Sequence, residues 1–275
     1  GLTIIDISDP SNPLDAGSFN TDGWSCGIDM TGNYAYVADD GGLRIIEVSD
    51  PYNPSETGFF DTKDRATNVV VDNNNAYIAD EDSGLCIVDI SDPSNPSEIG
   101  SFDTQGTVKG VAVSANYAYV ADGDEGLRIL DISNPTNPAE VGFCDTPDRA
   151  YDVAVVGQYA YVADNSDGLR IIDVSDPSNP SEIGFFDNNW GNSRKVSVIG
   201  NYAYVADGTR GLSIIDISDP ENPTEIGCYN TDFSATGIAV VENYIYVADE
   251  TDGIYIIRFD GPTGIQENFH STIAD

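Results

Sequence analysis

Tyr117-Ala-Tyr-Val-Ala-Asp122, then Gly126-Leu-Arg-Ile-Leu-Asp-Ile-Ser133 and directly after it Asn134-Pro-Thr-Asn-Pro138, decide the fold, because each recurs along the chain at one period. The first motif puts its second aromatic at Tyr36, Tyr77, Tyr119, Tyr161, Tyr204 and Tyr246, with spacings of 41, 42, 42, 43 and 42 residues. The second is headed by Leu2, Leu43, Leu85, Leu127, Leu169, Leu212 and Ile254, and the proline-bearing third follows the first six of these. A fixed period of 20 to 50 residues marks a repeat architecture.

Within one period lie four short segments rich in Val, Ile, Tyr and Phe; in the third copy they are residues 110–114, 117–122, 127–132 and 140–145. Gly, Pro, Asn and Asp separate them, which is strand chemistry bounded by turn chemistry. The intervening stretches are too short for crossover helices, so neighbouring strands run antiparallel. Leu-x-Ile-Ile-x-Ile puts apolar side chains on both faces, and a sheet buried on both faces and repeated radially is a propeller blade. The sequence therefore predicts an all-β fold, a β-propeller of four-stranded antiparallel blades. The inner, Tyr-Val-Ala-Asp and outer strands each occur six times, giving six blades, while the seventh Gly-Leu-type strand leaves seven blades as the alternative. Ring closure by N- and C-terminal strands is expected, with Gly1–Phe19 supplying outer strands to the blade begun by Thr236–Asp249. The domain reading is one propeller over residues 1–260 and a tail or linker over 261–275.

Composition narrows the function. The chain has 275 residues, 47 acidic and 11 basic, for a net charge of −36. A phosphate-binding face must be basic, so nucleic acid and anionic membranes are poor partners. No apolar run reaches the length of a membrane helix, so no membrane insertion is expected. Cys26, Cys86, Cys144 and Cys228 show no CxxC spacing and read as buried small hydrophobes.

These residues resemble the LVIVD repeat family, whose strand appears here as Leu85-Cys-Ile-Val-Asp-Ile90 and Leu169-Arg-Ile-Ile-Asp-Val174. The resemblance covers residues 1 to about 260. It implies a propeller in secreted or surface-attached prokaryotic proteins, an extracellular or cell-surface location and no established catalytic motif. The stretch Gly261-Pro-Thr-Gly-Ile-Gln-Glu-Asn268 resembles linkers ahead of C-terminal sorting domains.

Loops carry function when a rigid scaffold presents them. The loop from each outer strand to the next inner strand varies most, and in a propeller it borders the channel mouth together with the loop between strands two and three. It holds Asp22-Gly-Trp-Ser-Cys26, Lys63-Asp-Arg-Ala-Thr67, Gln105-Gly-Thr-Val-Lys109, Pro147-Asp-Arg-Ala-Tyr151, Asn188-Asn-Trp-Gly-Asn-Ser-Arg-Lys195 and Thr231-Asp-Phe-Ser-Ala235. All three lysines and both tryptophans lie here. Trp24, Arg65, Lys109, Arg149, Tyr151, Trp190, Arg194 and Lys195 thus form a candidate site for an anionic small molecule, glycan or acidic peptide, with Arg pairing a carboxylate and Trp stacking. The alternative is that Arg65 and Arg149 neutralise the Asp residues that end the Tyr-Val-Ala-Asp strands.

The second loop set supplies those acids. Asp80, Asp82, Asp122, Asp124, Asp164 and Asp167 sit beside glycines in the oxygen-rich chemistry that Ca2+ takes, although Asp-Gly is also plain hairpin-turn chemistry. No other cofactor is indicated. The one histidine, His270, lies in the tail, and no Ser-His-Asp set or phosphate loop can be assembled. The function expected is a non-catalytic extracellular module for protein interaction or surface structure, its partner a protein or a second copy. A channel-mouth binder is the alternative, and a lyase or glycosidase using paired carboxylates is the remaining enzyme reading.

Overall fold

A computed structural model of the chain describes residues 1–187, 191–251, 253–261 and 265–271, with 266–271 described in backbone only. Every regular element among them is a strand. The N-terminal pair is β1 (Leu2–Asp6) and β2 (Leu14–Phe19). The first four-stranded sheet holds β3 (Ser25–Thr31), β4 (Tyr34–Asp39), β5 (Gly42–Glu47) and β6 (Ser55–Asp61). The second holds β7 (Ala66–Asp72), β8 (Asn75–Asp80), β9 (Leu85–Asp89) and β10 (Ser97–Phe102). The third holds β11 (Gly110–Ser114), β12 (Tyr117–Ala121), β13 (Leu127–Asp131) and β14 (Ala139–Cys144). The fourth holds β15 (Asp152–Val156), β16 (Tyr159–Ala163), β17 (Leu169–Asp173) and β18 (Ser181–Phe186). The fifth holds β19 (Lys195–Ile199), β20 (Tyr202–Ala206), β21 (Leu212–Asp216) and β22 (Thr224–Tyr229). The sixth holds β23 (Ala235–Val241), β24 (Tyr244–Asp249), β25 (Gly253–Phe259) and β26 (Ile265–Ser271).

Six four-stranded antiparallel sheets, each in chain order, are the blades of a six-bladed β-propeller. The chain divides into two compact units. One comprises Gly1–Asp6 and Leu14–Phe143, the other Ile7–Pro13 and Cys144–Asp275. In each, the core is the filling between successive blades. In the first unit, Tyr36, Leu43 and Ile45 of one blade close on Val69, Ile78 and Val88 of the next. In the second, Tyr204 and Ile214 close on Ile245, Val247 and Ile257. Leu127, Ile129 and Leu130 are fully buried, and truncating such a side chain to Ala costs about 2–5 kcal/mol.

The proline turns lock the outer strands. Each closes on itself, as in Asn95 N–H donating to Asp92 O at 2.9 Å. The turn also abuts the outer strand of the preceding blade, where it meets a glycine. A Cβ on Gly58, Gly100 or Gly184 would collide with the carbonyl oxygen of Pro93, Pro135 or Pro220 respectively. Only hydrogen fits there, which is why Glu-x-Gly recurs in the outer strand.

Two features differ from the sequence expectation. Gly1–Phe19 does not lend strands to the sixth blade: β1 and β2 pair as a sheet of their own, and β26 gives the sixth blade its fourth strand. Residues 265–271, read as tail, carry no Glu-x-Gly motif, but the exposed edge of β25 offers main-chain N–H and C=O groups that any extended segment can pair. The cysteines are not uniformly buried. Cys86 is buried in the core, Cys144 is intermediate, and Cys26 and Cys228 are exposed. Burial pushes the Cys86 thiol up to about 12.

Candidate functional site

The Asp that ends each Tyr-Val-Ala-Asp strand organises the loops. Asp39, Asp80, Asp122, Asp164, Asp207 and Asp249 are all buried. The carboxylates of Asp80, Asp122, Asp164, Asp207 and Asp249 accept hydrogen bonds from the variable loop arriving from the preceding outer strand, while Asp39 accepts one from Gly41 of its own turn at 2.9 Å. Lys63 and Asp64 donate their N–H groups to Asp80 at 3.1 Å each, and Asp148 donates its own to Asp164 at 3.1 Å. Thr104 Oγ1 donates to Asp122 Oδ1 at 2.7 Å, and Thr146 Oγ1 to Asp164 Oδ1 at 2.6 Å. Phe233 N–H reaches Asp249 at 3.1 Å. The loop backbone passes so close that a Cβ on Gly106 would sit 2.5 Å from the Asp122 carboxylate carbon. Burial raises the carboxyl pKa of Asp80 and Asp164, and pushes Asp122 up to about 6 against the opposing pull of Thr104 and Arg128.

The cations facing these carboxylates are ones the sequence reading left out. Arg44 Nε stands 3.6 Å from Asp39, Arg128 Nε 3.8 Å from Asp122 and Arg170 Nε 3.6 Å from Asp164. All three occupy the x of Gly-Leu-x-Ile-Ile. Two also reach an outer-strand glutamate: Arg44 lies 4.0 Å from Glu56, and Arg170 3.7 Å from Glu182. Each arginine is covered by a phenylalanine of the outer strand: Phe59 at 5.2 Å, Phe143 at 4.8 Å and Phe185 at 4.8 Å. In two blades where x is not arginine, a loop cation takes its place. In the second blade x is Cys86, and Lys63 Nζ meets Glu98 at 3.1 Å. In the fifth x is Ser213, and Arg210 bridges Asp207 at 3.7 Å and Glu225 at 2.8 Å. The signal was present in the sequence as an Arg recurring beside a Glu about a dozen residues later.

The candidate ligand residues fall in both units. In the first, Arg65 pairs with Asp40 at 2.7 Å and its Nη2 stands 3.1 Å from Cys26 Sγ. Trp24 donates its backbone N–H to the other oxygen of Asp40 at 3.3 Å, so Asp40 joins Trp24 and Arg65, while the Trp24 side chain is 76% exposed. Lys109 pairs with Glu81 at 2.8 Å. Beside it Val108 N–H donates to Glu81 O at 3.0 Å, a bridge between blades two and three. In the second unit, Lys195 pairs with Asp152 at 3.2 Å, and Val196 N–H donates to the same carboxylate at 3.0 Å. Arg194 lies 4.5 Å over the ring of Tyr151. Arg149 also has a partner within the chain. Trp190 lies outside the described residues. Arg65 thus faces Asp40, the residue after the strand-ending Asp, and the buried carboxylates take other cations.

Of the candidate metal ligands, Asp80, Asp122 and Asp164 hold the loops as described. Asp82 accepts from Thr107 Oγ1 at 2.9 Å, Asp167 pairs with Arg170 at 3.2 Å, and Asp124 is engaged within the chain. Among the described residues no three His, Cys, Asp or Glu side chains converge on one point. Among the described residues no helix is long and apolar enough to cross a membrane.

Solved structures share this fold. A protein from Bacteroides fragilis described as a candidate 6-phosphogluconolactonase superposes with a TM-score of 0.78 at 13% identity, over 94% of this chain and 87% of that one. A second protein of the same description, from Bacteroides uniformis, gives 0.75 at 12% identity over 94% and 87%. The computationally designed Ika8 protein gives 0.63 at 10% identity over 91% and 88%. No curated protein matches the chain. The family model of the LVIVD repeat matches residues 1–21, 22–62, 64–104, 105–146, 148–188, 190–231 and 234–258, and the chain belongs to the LVIVD-repeat family.

Proposed function

We propose that this chain is a non-catalytic extracellular β-propeller that serves as a protein-interaction or surface-structural module. One observation carries the reading: the loop cations Arg65, Lys109 and Lys195 and the buried strand-ending aspartates are already engaged within the chain, while outer-strand aromatics remain exposed. Arg65, Lys109 and Lys195 are paired with acids of the preceding blade. Phe59, Phe143 and Phe185 are 52–55% exposed, and each ring lies under the guanidinium of an arginine that is itself paired with an acid. Pre-oriented aromatic surface of this kind is what protein interfaces use. The resemblance to secreted and surface-attached proteins supports the extracellular placement. At 12–13% identity the Bacteroides neighbours support a common fold and carry no activity over to this chain.

Sedimentation velocity over a concentration series tests this. Reversible self-association is expected, weakened in the variant combining Phe59→Ser, Phe143→Ser and Phe185→Ser. A chain that stays monomeric throughout while hydrolysing a sugar-phosphate lactone would overturn the reading. A second reading, an anionic small molecule or glycan at the loops, is favoured by Arg194. Its guanidinium lies on Tyr151, and its buried Nε has no hydrogen-bond partner among the described residues. Galacturonate that binds the native chain and not Arg194→Ala would decide for that alternative.

A further inference from the structure

The x of Asp-Pro-x-Asn-Pro, or of its near copy, is Ser11, Tyr52, Ser94, Thr136, Ser178 and Glu221 in turn. Only the last is charged, and its turn leads into β22. That turn abuts β18, where a Cβ on Gly184 would stand 3.1 Å from Glu221 Cα. Beside this contact is a cleft of about 550 Å³, formed entirely by residues of the second unit. Glu182 and Phe185 line it from β18, and Glu221, Asn222, Pro223 and Thr224 line it from the turn and the start of β22. Its volume is that of a small-ligand site.

The cleft is rich in acceptors. Glu221 donates its backbone N–H to Asp219 at 3.3 Å, but its carboxylate has no partner among the described residues. Asn222 commits Nδ2 to Asp219 at 3.0 Å, which leaves Oδ1 to accept. Glu182 Oε1 stands 3.7 Å from Arg170 and is still 32% exposed. Among the described residues no basic side chain lines the cleft. Two glutamates there repel a carboxylate, sulfate or phosphate, so the ligand must donate hydrogen bonds.

Phe185 decides what kind of donor fits. It is 55% exposed, and the Arg170 guanidinium lies 4.8 Å from its ring centroid. Arg170 itself is 6% exposed and does not line the cleft. The electron density of the ring is thus already drawn towards one cation. A second cation stacked on the ring would find less of it and would be repelled by the first, which disfavours an ammonium or guanidinium ligand. C–H groups carry no such penalty, and Pro223 extends the apolar surface. A neutral saccharide offers both halves: a C–H face for Phe185 and Pro223, and hydroxyls that donate to Glu182, Glu221 and Asn222.

We propose that the cleft between β18 and the Glu221 turn binds a neutral saccharide, with Phe185 as the stacking surface and Glu221 as the acceptor that sets specificity. The site shares Phe185 with the interaction-module reading and goes beyond it, since that reading rests on three phenylalanines and makes no use of Glu221.

The full chain, labelled and applied in about 0.15 M NaCl to an array of neutral, acidic and amino saccharides, tests this. Neutral saccharides are expected to retain it, and the strongest of them should bind in solution with a Kd that salt does not change. Glu221→Ser gives the turn the residue found at Ser11, Ser94 and Ser178, and should weaken that binding about tenfold. Phe185→Ala should weaken it at least as much. Retention by acidic or amino saccharides alone, or by none, would overturn the proposal, as would equal affinity in the native chain and Glu221→Ser. Because Glu221→Ser keeps Phe59, Phe143 and Phe185, its self-association should match that of the native chain. A native chain that self-associates and binds no neutral saccharide therefore overturns this inference alone, and one that binds the saccharide as a strict monomer overturns only the interaction-module reading.

Discussion

Asp122 shows most directly how single residues are used. It is fully buried; Oδ1 accepts from Thr104, and among the described residues Oδ2 has no hydrogen bond and faces Arg128 at 3.8 Å. Burial is the main reason its carboxyl is pushed up to about 6, with Glu125 and Glu140 adding repulsion. The unfolded carboxyl titrates at 3.8, so between these values the folded chain holds a proton that the unfolded chain has lost. The contribution to stability is therefore fully present below pH 3.8 and is lost as pH rises through about 6. Asp122→Asn keeps the acceptor for Thr104 and removes the titration. The unfolding free energy of the native chain, measured in urea from pH 4 to pH 7, should fall relative to that of the variant by on the order of 1–2 kcal/mol. Parallel curves would show that Asp122 is ionised throughout.

At the scale of the strand, the outer-strand glycine provides a comparison inside one molecule. Gly100 lies against Pro135 O and Gly184 against Pro220 O, so a methyl group at either has nowhere to go. Gly227 holds the same place in β22, but the sixth blade has no Asp-Pro-x-Asn-Pro turn, and among the described residues a Cβ there meets only Ile214 side-chain atoms, at 3.6 and 3.9 Å. Gly100→Ala and Gly184→Ala should each cost about 2 kcal/mol or more, while Gly227→Ala should be neutral or slightly stabilising. Thermal unfolding of the three variants checks this, and equal losses would mean that backbone freedom, and not the proline carbonyl, selects glycine. The repeat made the strands, turns and blade number readable, because periodic apolar and proline positions report backbone geometry directly. Strand β26 was not readable, since its pairing is main-chain chemistry with no side-chain signature. The ion pairs were half readable. That Asp ends the Tyr-Val-Ala-Asp strand was plain, but that Lys63 or Arg210 stands in when x is Cys86 or Ser213 depends on a loop side chain reaching an outer-strand glutamate in space. For the same reason Arg65 was matched to the strand-ending Asp, when its acid is the neighbouring residue, Asp40.

Over the whole molecule, a net charge of −36 dominates, and 11 basic residues cannot offset 47 acids. Self-repulsion among like charges opposes the compact state and weakens as salt shortens its range to about 10 Å at 0.1 M. The close pairs, such as Lys109–Glu81 at 2.8 Å, act over contact distance and are screened less. The melting midpoint should therefore rise with NaCl from low to near-molar concentration, the reverse of a fold held mainly by ion pairs. Comparing CaCl2 with MgCl2 then separates screening from binding, because the two salts screen identically while Ca2+ alone favours a flexible site of six to eight oxygens. The loop carboxylates are engaged with Thr107, Thr104, Arg170 and loop N–H groups. Coordination would have to break those contacts, so the midpoints in the two salts should coincide. A midpoint higher in CaCl2 would mean that the gain from coordination exceeds the loss of the loop hydrogen bonds. Its disappearance in Asp82→Asn with Asp124→Asn would then place the ion between the second and third blades.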